Sequence, residues 1–204
     1  MDHRLVAWAR SVKARQRHRL QGGGAALPPL WLFTDERRLP DPCPAVARLP
    51  RGLCGVVLRH DGDAGRAALG RRLAAICRQR RLVLVVAGDW RLAAALQAGL
   101  HLRGGRHLPG MPRAWPIVTS SAHDRVELRR AARAKADLVF LSPAFATASH
   151  PGAAALGPLR WSALAGRARF AVAALGGIDG GTVRRLGRGR CAGAGAIGAL
   201  NQRT

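Results

Sequence analysis

The stretch Leu82-Val83-Leu84-Val85-Val86-Ala87 carries six apolar side chains in succession, three of them β-branched. An unbroken apolar run of this length predicts a strand that is buried on both faces, as strands of parallel sheets are. Residues 65–80, directly before it, place leucine and alanine at three- and four-residue intervals with arginine between them, which predicts an amphipathic helix. The stretch therefore indicates a chain that alternates helices with buried parallel strands.

The same alternation extends from residue 30 to the end of the chain. Eight strands are predicted, at residues 30–34, 55–59, 82–87, 99–102, 115–119, 138–141, 170–174 and 192–197. Helices are predicted at residues 65–80, 91–98, 124–134 and 180–188, with a short one near 109–114 that contains two prolines. Eight such units predict an α/β fold, a compact single-domain (β/α)₈ TIM barrel over residues 27–204. Its last helix is expected to be short or missing, and an open doubly wound sheet is the structural alternative.

The composition is globular but strongly basic. Apolar residues make up 48% of the 204 residues, and 34 Lys+Arg against 11 Asp+Glu give a formal net charge of +23. This charge suggests a polyanion-binding module, but the chain has no Tyr and shows no nucleic-acid motif, so no specific nucleic-acid partner is expected. Only Lys13 and Lys135 are lysines, and every other cationic side chain is arginine. Because this skew is typical of GC-rich coding sequence, we interpret most of the charge as neutral sequence drift on the solvent-exposed surface.

The cysteine spacing and the absence of long apolar runs indicate the cellular compartment of the protein. The four cysteines form no CxxC pair and match no zinc spacing, which favours reduced thiols in a cytoplasmic protein. No apolar run approaches the length of a bilayer span, so no membrane partner is expected.

Residues 1–26 form a basic extension ending in three glycines. It is interpreted as a helix for a polyanion, a disordered tail, or residues upstream of the true start. The sequence leaves open whether the chain forms a homo-oligomer.

The ends of the last two predicted strands are rich in glycine. Gly176-Gly177 follows the seventh strand, and Ile197-Gly198 forms the exit of the eighth. Glycine lets backbone N–H groups approach a phosphate, and barrels frequently bind phosphate at this place. We therefore predict a phosphate site, the alternative being that the glycines only make tight turns.

Polar side chains follow three other predicted strands, and each group has both a functional and a structural interpretation. Thr147, Ser149 and His150 lie in a long loop after the sixth strand, where they form either an anion site or a surface turn. His123, after the fifth strand, is either an acid/base residue or a structural histidine, and nearby Ser121 is either functional or a helix cap. Asp89, after the third strand, is either a Mg²⁺ ligand or a helix cap.

Taken together, these motifs resemble the thiamine phosphate synthase superfamily, which includes thiazole tautomerases. The resemblance runs from about Leu30 to Leu200. Its motifs are Leu30-Trp31-Leu32-Phe33-Thr34-Asp35, Val57-Leu58-Arg59, Gly88-Asp89, Gly99-Leu100-His101-Leu102, Ser121-Ala122-His123, Ser142-Pro143 with Pro151-Gly152, and Leu175-Gly176-Gly177-Ile178.

The resemblance implies a (β/α)₈ barrel that joins a hydroxymethylpyrimidine diphosphate to a thiazole phosphate, releases diphosphate and uses Mg²⁺. Ser121, His123 and Arg59 are then the predicted catalytic residues, and Asp89 is a Mg²⁺ ligand. The predicted substrate-binding residues are Gly88, Arg106, Thr147, Ser149, His150, Gly176, Gly177, Ile197 and Gly198.

The chain departs from the family pattern mainly at the pyrimidine-diphosphate end. Val57 and Asp61 replace a Gln and a Lys, Gly88 replaces an Asn, and the second metal carboxylate falls on Arg106 or His107. Two functions follow: a synthase in which arginines take over part of the metal's role, or a diverged tautomerase-like or phosphorylated-thiazole-binding protein in which His123 moves protons.

Overall fold

A computed structural model describes residues 1–19, 27–112, 114–147, 152, 154–187 and 189–201. Eight parallel strands, paired in sequence order, form a closed barrel because β8 pairs with β1. The TIM-barrel prediction is thereby confirmed, and the open sheet is excluded. The strands are β1 (Leu30–Phe33), β2 (Cys54–Leu58), β3 (Val83–Ala87), β4 (Gly99–Leu102), β5 (Val118–Ala122), β6 (Leu138–Leu141), β7 (Ala171–Leu175) and β8 (Gly193–Ala196).

Helices connect and cover the strands. They are α1 (His3–Arg19), α2 (Cys43–Ala47), α3 (Arg66–Arg80), α4 (Trp90–Ala95), α5 (Arg125–Arg133), α6 (Gly157–Gly166) and α7 (Gly198–Asn201). The last is short, as predicted. A 3₁₀ turn, Thr182–Arg185, stands in the predicted helix 180–188, where glycines before and after the turn disfavour a longer helix. In the described part of the chain, no helix combines the length and the apolar character that a bilayer crossing needs.

Two predicted elements differ between β4 and β5. The predicted short helix near 109–114 is absent from the described residues there, and its prolines supply no N–H for a helix. The fifth strand was predicted at 115–119 but runs over Val118–Ala122. Pro116 cannot donate to the ladder, so pairing with β4 begins at Val118, opposite Leu100. Ser121 consequently lies in the strand itself.

Alternation along each strand separates two apolar layers. Leu30 and Leu32 face outward to the helices, whereas Trp31 and Phe33 point into the barrel. The interior has room for Trp31 because Gly55 is its partner on β2, and a Cβ at Gly55 would stand 2.4 Å from the indole ring. Aromatic rings therefore fill the barrel below its carboxyl end.

The N-terminal helix α1 packs beside β8. Its side chains Leu5, Val6, Ala9 and Val12 are buried. The Asp2 backbone N–H donates to Ala199 in α7 at 2.9 Å, on the carboxyl side of β8, and the Gln16 amide donates to the carbonyl of Ala192, before β8, also at 2.9 Å. Because α1 thus runs antiparallel to β8, it covers the position that an eighth barrel helix would otherwise occupy.

Candidate active site

A cavity of about 1440 Å³ opens at the carboxyl ends of the strands. Every strand contributes at least one lining residue or the residue directly after it, so the cavity lies on the barrel axis. Its volume exceeds the usual range for one small ligand, which leaves room for two. The lining differs between its β7–β8 side and its β2–β4 side, which the closed strand order places across the barrel from each other.

The β7–β8 side is built from a glycine turn. Gly176 and Gly177 adopt φ of +89° and +62°, and a Cβ at Gly177 would stand 2.3 Å from the Ala146 carbonyl oxygen. Only glycine fits there, since the backbone approaches the loop after β6 this closely. The N–H groups of both glycines donate to no acceptor among the described residues. They are therefore free to donate to an anion.

The glycine turn is held in place by its own polar contacts. The Thr182 hydroxyl donates to the Gly177 carbonyl at 2.9 Å. The Asp179 carboxylate accepts from the N–H groups of Gly181 and Thr182, both at 2.8 Å, and these bonds contribute to lowering the pKa of Asp179. Arg185, at the end of this 3₁₀ turn, lines the cavity with its guanidinium 5.4 Å from the Phe145 ring centroid. The turn thus adds a cation beside the glycine N–H groups.

The β2–β4 side carries an arginine cluster, which we define as Arg59, Arg66, Arg103 and Arg106; all four line the cavity. Asp61 lies among them. Its carboxylate accepts from the Arg103 guanidinium and forms an ion pair of 3.4 Å with Arg66. The cluster therefore keeps an excess of positive charge even with Asp61 paired.

The inner floor of the cavity is aromatic and uncharged. Phe33 and His101 meet edge to face, with ring centroids 5.7 Å apart. Burial, with the nearby charges of Arg59 and Arg103, lowers the pKa of His101 to about 3. The imidazole is therefore neutral at physiological pH, with Nδ1 2.9 Å from the Thr119 hydroxyl.

Ser121 and His123 lie at the end of β5, on one wall of the cavity. The Ser121 hydroxyl oxygen accepts from the Gly104 N–H at 3.2 Å, which leaves its own proton for a ligand. Nδ1 of His123 lies 2.9 Å from the Glu127 carboxylate, which also accepts from the His123 backbone N–H. An imidazole oriented by a carboxylate is suited to proton transfer.

The amino-acid sequence of this barrel matches a known protein family. The model of the family described as thiamine monophosphate synthase matches residues 41–200, most of the chain. The chain belongs to the thiamine monophosphate synthase family. The match covers seven of the eight strands and both sides of the cavity.

Solved structures agree with this assignment at the level of the fold. A thiamine phosphate pyrophosphorylase from Pyrococcus furiosus is 22% identical, with a TM-score of 0.68 over 82% of this chain and 84% of that one. Another from Bacteroides thetaiotaomicron is 18% identical, with a TM-score of 0.54 over 85% and 84%. Among curated protein sequences, none matches this chain.

Ten of the thirteen residues singled out from the sequence line the one cavity: Arg59, Gly88, Arg106, Ser121, His123, Thr147, Gly176, Gly177, Ile197 and Gly198. Ser149 and His150 lie outside the described residues. Asp89 is not among the lining residues, and its carboxylate caps α4 by accepting from the Leu92 N–H at 2.9 Å. The structure thus brings ten of the thirteen predicted residues together in one cavity, and their roles stay predictions.

Several charged lining residues were not predicted from the sequence, among them Arg38, Arg66, Glu127, Asp179 and Arg185. Arg66 begins α3, Arg185 ends the 3₁₀ turn, and Arg38 lies within 3.9 Å of the place where a Cβ at Gly198 would stand. His101 was noticed only as part of a motif. Their positions depend on how helices and loops pack on the barrel, a relationship that local spacing does not encode.

The described residues do not fit the Mg²⁺ that the family resemblance implies. The carboxylates lining the cavity are Asp61, Glu127 and Asp179, and each is already paired with arginine, histidine or backbone N–H groups. No group of three or more potential metal ligands exists within the described ranges. A magnesium ion needs carboxylate oxygens converging with substrate phosphates, and Asp89, the predicted ligand, does not face the cavity with a second acid.

Proposed function

We propose that this protein joins a pyrimidine diphosphate to a thiazole phosphate and releases diphosphate, as a thiamine phosphate synthase does. The observation that carries the proposal is the two-sided cavity: free glycine N–H groups on one side, arginines on the other and an aromatic floor between. This arrangement suits two phosphorylated rings whose phosphate groups lie at opposite sides of the cavity, and family membership supports the proposal.

The bond changes are simple. The C–O bond between the pyrimidine methylene and the diphosphate breaks, and the diphosphate leaves with the electron pair. The lone pair of the thiazole nitrogen then forms the new C–N bond. This nitrogen carries no hydrogen, so its attack releases no proton.

The chain's residues stabilise the charges that develop. Negative charge grows on the leaving diphosphate, which the arginine cluster and the Ser121 hydroxyl stabilise. Positive charge grows on the pyrimidine methylene, and a neutral His101 beside Phe33 does not repel it, as a protonated imidazole would. On the other side, Gly176 and Gly177 hold the thiazole phosphate so that the ring nitrogen faces the methylene.

The direct test is formation of thiamine phosphate by the full chain from both precursors. We expect product, and we expect Ser121→Ala to lower kcat at least tenfold because a donor to the leaving group is lost. Ser11→Ala, on the exposed face of α1, is the matched control and should match the wild type. Absence of product, with both precursors present and the barrel folded, would refute the synthase assignment.

A second function is supported by the His123–Glu127 pair, which suits proton transfer on a thiazole carboxylate phosphate, as in tautomerases. In that case His123→Ala should abolish solvent hydrogen exchange into the thiazole ligand, while thiazole phosphate still binds. Unchanged exchange in this variant would reject the tautomerase alternative.

A further inference from the structure

The arginine cluster occupies the part of the cavity where the family resemblance implies a metal-bound diphosphate. We propose that this side of the cavity binds diphosphate directly through Arg59, Arg66, Arg103 and Arg106, without Mg²⁺. The identity of the ligand as a diphosphate rests on the proposed function, whereas the metal-free mode of binding rests on the contacts of these side chains.

Arg103 lies over the end of β3. Its Nη2 lies 3.5 Å from the place where a Cβ at Gly88 would stand, at the end of β3. Since Gly88 has no side chain, the guanidinium lies directly over the backbone that leads to Asp89. A positive group therefore stands at the end of β3, where it would repel a divalent cation.

Asp61 holds two members of the arginine cluster in place. Its carboxylate contacts both Arg103 and Arg66, and Arg66 also donates to the Ala87 carbonyl at the end of β3. These contacts hold two guanidiniums at adjacent strand ends, facing the same space. Guanidiniums held in this way present their remaining N–H groups to phosphate oxygens, which gives both charge and geometry.

Arg106 and Arg59 can supply further donors. The exposed Arg106 guanidinium has no hydrogen bond or ion pair among the described residues, and Arg59 has only a long ion pair of 4.0 Å with Asp35. An anion with several oxygens would replace water as the acceptor for these side chains, and charge-assisted hydrogen bonds of this kind are stronger than neutral ones.

The net charge of the cluster suits a multiply charged ligand. Asp61 and Asp35 offset two of the four guanidinium charges, so the cluster retains a positive excess that suits a diphosphate. Mg²⁺ bound to the diphosphate would reduce the ligand's charge and occupy the oxygens that the guanidiniums need. Magnesium is therefore expected to weaken binding here, whereas it strengthens binding at a carboxylate-based metal site.

The experiment measures binding of inorganic pyrophosphate to the full chain by calorimetry, once with EDTA and once with excess Mg²⁺. We expect binding in EDTA and weaker binding with Mg²⁺. Arg103→Gln and Arg106→Gln should each lower the affinity in EDTA about tenfold, because a charge-assisted contact is lost. Thermal unfolding of each variant verifies that the barrel is intact.

The control is Arg129→Gln, an exposed arginine on α5 that does not line the cavity. Its affinity for pyrophosphate should equal that of the wild type. Binding that requires Mg²⁺ would overturn the proposal, and so would an equal loss in Arg129→Gln, since the +23 charge would then act without a site. A failed synthase assay with metal-free pyrophosphate binding would refute the proposed function alone, and the opposite pair of results would refute the metal-free mode alone.

Discussion

The Asp2 carboxylate accepts a hydrogen bond from the Gly180 backbone N–H at 2.6 Å, which joins the second residue of the chain to the loop after β7. The other oxygen of Asp2 accepts from the N–H groups of Arg4 and Leu5, so the same side chain caps α1. One residue therefore both starts the helix that covers β8 and fixes the loop that follows the glycine turn.

Asp2→Ala should destabilise the protein by about 1–2 kcal/mol, because a helix cap and a link to Gly180 are lost together. Urea unfolding followed by circular dichroism measures the change. Asp2→Asn is the matched control, since an amide oxygen still caps a helix, and it should retain most of the stability. Equal stability of the alanine variant and the wild type would show that α1 does not depend on this contact.

Gly177→Ala should both destabilise the barrel and abolish binding of thiazole phosphate. The new Cβ would stand 2.3 Å from the Ala146 carbonyl oxygen at a φ of +62°, so steric clash adds to backbone strain. We expect a loss of at least about 2 kcal/mol in the free energy of unfolding. Thermal unfolding and calorimetry with thiazole phosphate measure the two effects.

The control for this change is Gly157→Ala. Gly157 has a similar φ of +69°, but a Cβ there meets nothing within 4 Å. Strain alone should then cost about 1 kcal/mol, with thiazole phosphate binding retained. If the two variants behave alike, the tight approach at Gly177 is not what the site requires.

The strands were predictable because buried parallel strands are read directly from continuous apolar runs. Val83–Ala87 and Leu138–Leu141 are examples in which the run and the strand nearly coincide. The fifth strand was displaced because Trp115 and Ile117 are apolar while Pro116, between them, cannot pair. Hydrophobicity identifies the element, but the hydrogen-bond ladder decides where it begins.

The site was predictable where one strand end supplies both the motif and its geometry, as at Gly176-Gly177. It was not predictable where the geometry needs two distant segments. Asp61 and Arg66 follow β2, while Arg103 follows β4, and only the closed barrel brings them together. Asp89 is the intermediate case, since its sequence context fits both a cap and a ligand, and the observed bond to Leu92 N–H is the cap.

Acid should destabilise the protein partly through His101. Burial lowers its pKa to about 3 in the folded state, against about 6.5 for an unperturbed histidine, so between these pH values the unfolded chain binds a proton that the folded chain does not. Stability from this group is therefore complete above pH 6.5 and is lost as the pH falls toward 3, by about 1 kcal/mol per pH unit. His101→Phe should flatten this acid slope in urea unfolding at several pH values.

Phe33→Leu is the control for the titration of His101. It removes the ring that packs edge-on against the imidazole, so stability should fall, yet no titrating group is removed. The slope between pH 6.5 and 4 should then remain that of the wild type. An unchanged slope in His101→Phe would show that another group causes the acid dependence.

Arg185 should contribute to thiazole phosphate binding, and a variant of the neighbouring Arg184 is the matched control. Both belong to the 3₁₀ turn Thr182–Arg185, but only Arg185 lines the cavity, with its guanidinium over Phe145 beside the glycine turn. Arg185→Gln should raise the Kd for thiazole phosphate about tenfold, since a charge-assisted contact with the phosphate is lost.

Arg184→Gln removes the same charge from an exposed side chain and should leave the Kd for thiazole phosphate unchanged. Pyrophosphate binding at the arginine cluster should be unaffected in both variants. Calorimetry with each ligand measures these values, and equal losses in the two variants would mean that general positive charge, not the position of Arg185, attracts the phosphate.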